Sequence, residues 1–153
     1  MKLSGALNIN QNNIRTRSFK LGGQDFKVRV SLSSEMEGIG NRVNEVNSES
    51  KFAEMMAPLL EKKSELESET IKFVDDDAIV DGKSIKALAK LTAQTEHRIT
   101  EMIRLLVPAQ EGFDMESISY EDINSEFPFA IQLELMKKIT EVISPGYEEI
   151  RKN

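Results

Sequence analysis

Any chemistry in this chain has to be built from a short inventory: one histidine, His97, no cysteine, and 26 carboxylates against 20 lysines and arginines. Gly82-Lys83-Ser84 imitates the end of a phosphate-binding loop, where glycine amides wrap an anion ahead of a lysine and a hydroxyl. The first glycine of that motif would stand at residue 77, but Asp77 is there, inside an aspartate triplet that repels phosphate. A turn and a helix cap are the better reading. The same triplet invites calcium, yet an EF-hand loop starting at Asp77 would place Ile79 and Leu88 where oxygen ligands are required. A zinc site built on imidazoles needs at least two, and a nucleophile–base pair has only His97 to use, with no Gly-x-Ser-x-Gly elbow to present a serine. Paired carboxylates are set by distance in space and stay open at this level. The expectation is a chain without cofactor or metal site, and not an enzyme.

Charge is the next signal. Residues 1–30 hold six bases (Lys2, Arg15, Arg17, Lys20, Lys27, Arg29) against Asp25, while the whole 153-residue chain carries −6. Residues 65–81 hold seven acids against Lys72, and seven more fall between residues 104 and 137 with no base among them. One reading is a solvated surface. The other is head-to-tail assembly of like subunits, with Arg15, Arg17, Lys27 and Arg29 of one copy meeting the acidic stretches of the next. Stacking of Phe19 and Phe26 on nucleic acid is disfavoured, because alternation puts Phe26 on a core face and the rest of the chain repels phosphate. No apolar run approaches the ~20 residues of a membrane helix, and the N-terminus has no signal-peptide core. The chain is expected to be soluble and cytoplasmic, with no membrane or nucleic-acid partner.

These residues must be positioned by elements that periodicity outlines. Residues 1–15 are rich in Asn and Gln and read as a mobile arm; residues 16–150 read as a single helical domain. Phe19-Lys20-Leu21, Gly22-Gly23 and residues 26–32 predict a hairpin whose buried face is Phe26, Val28, Val30 and Leu32. Ser34 with Glu37 suggests a capping box for a weak helix. Phe52, Met55, Leu59 and Leu66 predict another, kinked or broken near Ala57 by Pro58. Residues 71–80 suggest a second hairpin. Ser84 should cap the longest helix, Ile85 to about Val107, ended by Pro108 and reaching ~35 Å. A helical turn is expected at residues 120–124. The last helix should start at Pro128 and stop before Pro145-Gly146, with Ile131, Leu135, Ile139 and Val142 on one stripe and Phe129, Leu133, Met136 and Ile143 on another. The expected fold is mainly α, three or four helices with a small N-terminal β-hairpin.

Seven methionines, a last helix apolar over more than half its circumference and a long helix widened beyond its seam by Leu91, Ile103 and Leu105 suit a chain that binds other polypeptides. Met102, Ile103 and Leu106 on the long helix and Leu133, Met136 and Ile143 on the last are the candidate partner contacts. The order of parts resembles the tail assembly chaperones of long, non-contractile-tailed bacteriophages. The resemblance is carried by Phe19-Lys20-Leu21-Gly22-Gly23-Gln24-Asp25-Phe26-Lys27-Val28-Arg29-Val30 ahead of helices, and by Glu126-Phe127-Pro128-Phe129-Ala130-Ile131-Gln132-Leu133-Glu134 leading a terminal helix.

That resemblance implies a protein of the host cytoplasm, not of the mature virion. It would coat the tape-measure protein and help recruit tail-tube subunits as a homo-oligomer. A longer, frameshifted form occurs in many members of the family, and this chain would correspond to the short one. Alternatives are a structural tail-completion or connector protein kept in the virion, or a generic protein-binding adaptor.

Overall fold

The computed structural model describes residues 2–144. Their contacts divide the chain into two compact units, one built from the residues up to Ile39 and from Ile99 onward, the other from Gly40–Arg98. The expected single domain over 16–150 thus meets a chain with two centres of packing. The stop at Pro145-Gly146 and the end of that range lie outside the described residues.

In the first unit, two short helices, α1 (Lys2–Leu7) and α2 (Gln11–Arg15), lead into β1 (Thr16–Leu21) and β2 (Gln24–Arg29). The strands pair antiparallel in the register Phe19↔Phe26. Their two-residue turn puts both Gly22 and Gly23 at positive φ, +59° and +77°, the conformation whose twist matches the strands. Phe19 and Phe26 stack across the strands with ring centroids 5.3 Å apart. Phe19 and Val28 are buried on the face that meets the last helix, α8 (Phe129–Ile143). The strand stops at Arg29, however, and Leu32 is 57% exposed instead of buried. The chain turns there into α3 (Ser33–Asn44). Its start is held by Glu35, which accepts from the Leu32 amide at 3.1 Å, so the reach-back comes from Glu35 and not from the expected Glu37.

The second unit begins within α3 and continues with α4 (Glu49–Glu61) and α5 (Lys63–Leu66). Pro58 lies inside α4 without ending it near Ala57; the break comes at Lys62. Proline removes one intrahelical hydrogen bond, and Pro58 sits on the exposed side, where water can satisfy the Glu54 carbonyl. A three-stranded antiparallel sheet follows: β3 (Ile71–Val74), β4 (Asp77–Val80) and β5 (Lys83–Ser84). Met56, Ala78 and Ile85 form this unit's buried cluster, flanked by Phe52, Met55, Leu59, Phe73, Val80 and Leu88.

The long helix α6 (Ile85–Ile103) starts as expected, with Ser84 Oγ accepting from the Ala87 amide and Asp77 Oδ1 accepting from the Lys86 amide. Lys51 of α4 pairs with Glu96 of α6 at 2.9 Å, and that hydrogen bond raises the Lys51 pKa. The helix ends at Ile103, not near Val107. Residues beyond it leave the helix to pair with β2: the Arg29 amide donates to the Leu105 carbonyl and the Val107 amide to the Lys27 carbonyl. Ladder bonds to a strand edge replace the last helical turn.

A 3₁₀ turn (Met115–Ser117) and α7 (Tyr120–Glu126) complete the first unit before α8. Ser119 and Asp122 form a reciprocal capping box for α7. Pro128 stands at the N-cap of α8, one residue before its expected place. More than half of the described residues are helical, and the fold is mixed α+β with more helices than the three or four expected. Of the further ones, α7 lengthens the turn expected at residues 120–124, and α1, α2 and α5 span only four to six residues. They are shorter than the window in which apolar periodicity stands out. Among the described residues no helix is long and apolar enough to cross a membrane.

Candidate protein-binding surfaces

Apolar side chains reach solvent at several places among the described residues, two of them on α8 and α4. The first is α8. Gln132, Leu135 and Ile139 are fully buried, with Ile131 and Val142 half-buried beside them, so the inner stripe is the one the spacing suggested plus a glutamine. Gln132 is tolerated there because every polar atom of its amide is used. Tyr120 donates to its Oε1 at 2.8 Å, and its Nε2 donates to the Phe127 carbonyl at 2.8 Å and to Asn124 Oδ1 at 3.1 Å. This network pins α7 to α8 and fixes which side of α8 faces outward. On that side Phe129 is 50% and Leu133 36% exposed, and Met136, one turn on, is half-buried.

The second place is a groove of about 420 Å³ in the residue 40–98 unit, lined by α4, Lys63, Phe73 and the tip of the β3–β4 hairpin. Ala53, Met56, Ala57 and Leu60 bring one stripe of α4 to it, and Phe52 and Phe73 add aromatic walls. Asp75, Asp76 and Asp77 stand at its rim. Lys86 pairs with Asp76 at 2.7 Å, which lowers the Asp76 pKa, and its ammonium lies 5.6 Å from the centre of the Phe52 ring. Burial works to raise the Asp77 carboxyl, but hydrogen bonds from Ser84 and the amides of Lys86 and Ala78 hold it below its ordinary value. Asp77 is therefore a structural cap. Asp75 is exposed, at a backbone φ of +39°.

The candidate contacts chosen from sequence separate in the structure. Met102 and Ile103 are each only 4% exposed: they are packed inside the chain and present no surface. Leu106 is half-buried beside β2, where it bridges to Val28. Leu133 faces outward, and Met136 and Ile143 are half-buried. Among the bases proposed for self-association, Arg15 and Arg29 both turn to Glu35, at 2.7 and 2.8 Å. The Arg29 hydrogen bond, with the Leu32 amide and Arg15, lowers the Glu35 pKa from 4.5 to about 2. Their charge is spent within the fold, which leaves the exposed Arg17 and Lys27 for an outside partner.

The stripe read from sequence, Phe52, Met55 and Leu59, shares only Phe52 with the groove, whose other α4 residues lie one position further round the helix. The neighbouring pair Met56 and Leu60, four residues apart with Ala53 and Ala57 between turns, was the available signal. His97 is half-buried on α6, and no group of three or more His, Cys, Asp or Glu side chains among the described residues is arranged to hold a metal. The chain matches no family model, no curated protein and no solved structure.

Proposed function

We propose that this chain is a non-enzymatic tail assembly chaperone of a long-tailed bacteriophage. It holds the helical tape-measure protein in the host cytoplasm, helps bring tail-tube subunits to it, and leaves before the virion is complete. The observation that carries the reading is the outward strip of α8, Phe129, Leu133 and Met136, spaced to lie along a partner helix and held in place by the buried Gln132 network. The layout of hairpin and terminal helix, which resembles that family, supplies the partner.

Magnitudes favour a coat over a tight one-to-one complex. Burying a fully exposed Leu or Phe is worth ~1.5–3 kcal/mol, and these side chains are already half-covered, so the strip offers roughly 2–4 kcal/mol. A micromolar complex needs about 8 kcal/mol. One copy therefore binds weakly and lets go easily, while many copies along one long helix bind through multivalency.

Co-expression with the tape-measure protein tests this. The wild-type chain should keep that partner in the soluble fraction. The Phe129→Glu/Leu133→Glu double variant, changed only at exposed positions, should keep its own helical circular dichroism and lose the partner to the pellet. A tape-measure protein that is equally insoluble with and without the wild-type chain overturns the proposal.

A further inference from the structure

The groove of the residue 40–98 unit and the N-terminal arm are complementary halves of one contact. α1 has only six residues, far below the ~12–15 at which an isolated helix becomes marginal in water, so it depends on packing for its stability. Yet Leu3 and Leu7, four residues apart on one side of it, are each 59% exposed, and Ile9 after α1 and Ile14 in α2 are exposed as well. The sequence adds Lys2 at its start and the exposed Arg17 just beyond α2, whereas Arg15 is held by Glu35 and Lys20 pairs with Asp25.

The groove has the opposite character at its rim and the same at its floor. Exposed Ala53 and Ala57 let another helix come close to α4, Leu60 and Phe73 offer apolar contact, and Asp75 belongs to the stretch of seven acids against one base over residues 65–81. Lys86 pairs with Asp76 and Lys63 lies over the Phe73 ring, so against these two cations the three aspartates leave a net charge of −1, with Asp75 exposed.

We propose that the N-terminal arm of one copy docks, through Leu3 and Leu7, in the α4–hairpin groove of a second copy, with the arm's basic flank toward Asp75. The contact is heterologous: each chain contributes an arm to one neighbour and a groove to the other, so the assembly grows as an open string of subunits. It uses neither Phe129 nor Leu133, and it does not depend on the tail-assembly reading.

Sedimentation velocity of the full chain tests it with two variants changed only at exposed positions: an arm variant, Leu3→Asp/Leu7→Asp, and a groove variant, Ala57→Glu/Leu60→Asp. Circular dichroism checks that both stay folded. Wild-type protein should form concentration-dependent oligomers. Each variant alone should sediment as a monomer, because each buried leucine lost weakens the contact by about tenfold or more. Mixed in equal amounts, they should form a dimer that grows no further, since the arm of the groove variant still fits the groove of the arm variant. Three results overturn the proposal: a wild-type monomer at every concentration, either variant assembling like the wild type, or a mixture that stays monomeric.

Discussion

Glu35 shows how one carboxylate can serve several elements at once. It accepts from Arg15 at the end of α2, from Arg29 at the end of β2, and from the Leu32 amide at the start of α3. Its pKa of about 2 in the fold lies below the ordinary 4.5, so its stabilisation is fully present above pH ~4.5 and is lost as pH falls toward ~2. After allowance for its partial exposure, that is worth about 1–2 kcal/mol. Urea midpoints measured at pH ~6 and ~3 should fall more steeply for the wild type than for Glu35→Gln, which has no charge to lose in that window. Gln132 is the second residue of this kind. Gln132→Ala would remove the acceptor of the Tyr120 hydroxyl and the donor to the Phe127 carbonyl, leave a cavity and cost about 2–4 kcal/mol. Tyr120→Phe, which removes the hydrogen bond to Gln132, should cost about 1 kcal/mol in the same denaturation assay.

Among the elements, the two hairpins illustrate different ways of making a turn. The first relies on Gly22 and Gly23 at positive φ, and Gly23→Ala should lower stability by about 1–2 kcal/mol through strain alone. The second turns through Asp75 and Asp76, and Asp77 then caps α6 while bonding its own strand and Ser84. Losing that cap in Asp77→Ala should cost about 1–2 kcal/mol and fray the start of α6, readable as faster amide exchange at Lys86 and Ala87. The helix ends follow the same competition between local and long-range bonds. α6 stops at Ile103 because the β2 edge offers amide and carbonyl partners to residues 105–107. A helix continued to Pro108 would leave that edge bare, which is the more serious loss.

For the molecule as a whole, the relevant property is the separation of charge along the chain, with bases in the first thirty residues and acids in residues 65–81 and beyond. Assembly that uses this separation should weaken between about 0.05 M and 0.5 M salt, where the screening length shrinks from above 10 Å to a few ångströms. It should not vanish, because Leu3, Leu7 and Leu60 supply a contribution that salt does not screen. The chaperone reading makes a separate expectation: mass spectrometry of purified virions should find the tube and tape-measure proteins without this chain. Finding it there in stoichiometric amount would assign it to the structural components instead.

Local physics made much of the architecture legible. Adjacent glycines between alternating apolar residues specify the Gly22-Gly23 turn, Ser84 before an apolar period specifies the start of α6, and Pro128 before another specifies α8. Each of these depends on residues a few positions apart, so the sequence alone carries the answer. The tertiary structure decided which apolar side chains are spent. Met102 and Ile103 have the same character and period as Leu133, yet the first two are buried and the last is not. Arg15 and Arg29 look like Arg17 until Glu35 claims them. Burial and ion pairing are settled by neighbours distant in the chain, and no spacing rule within one helix or strand records who those neighbours are.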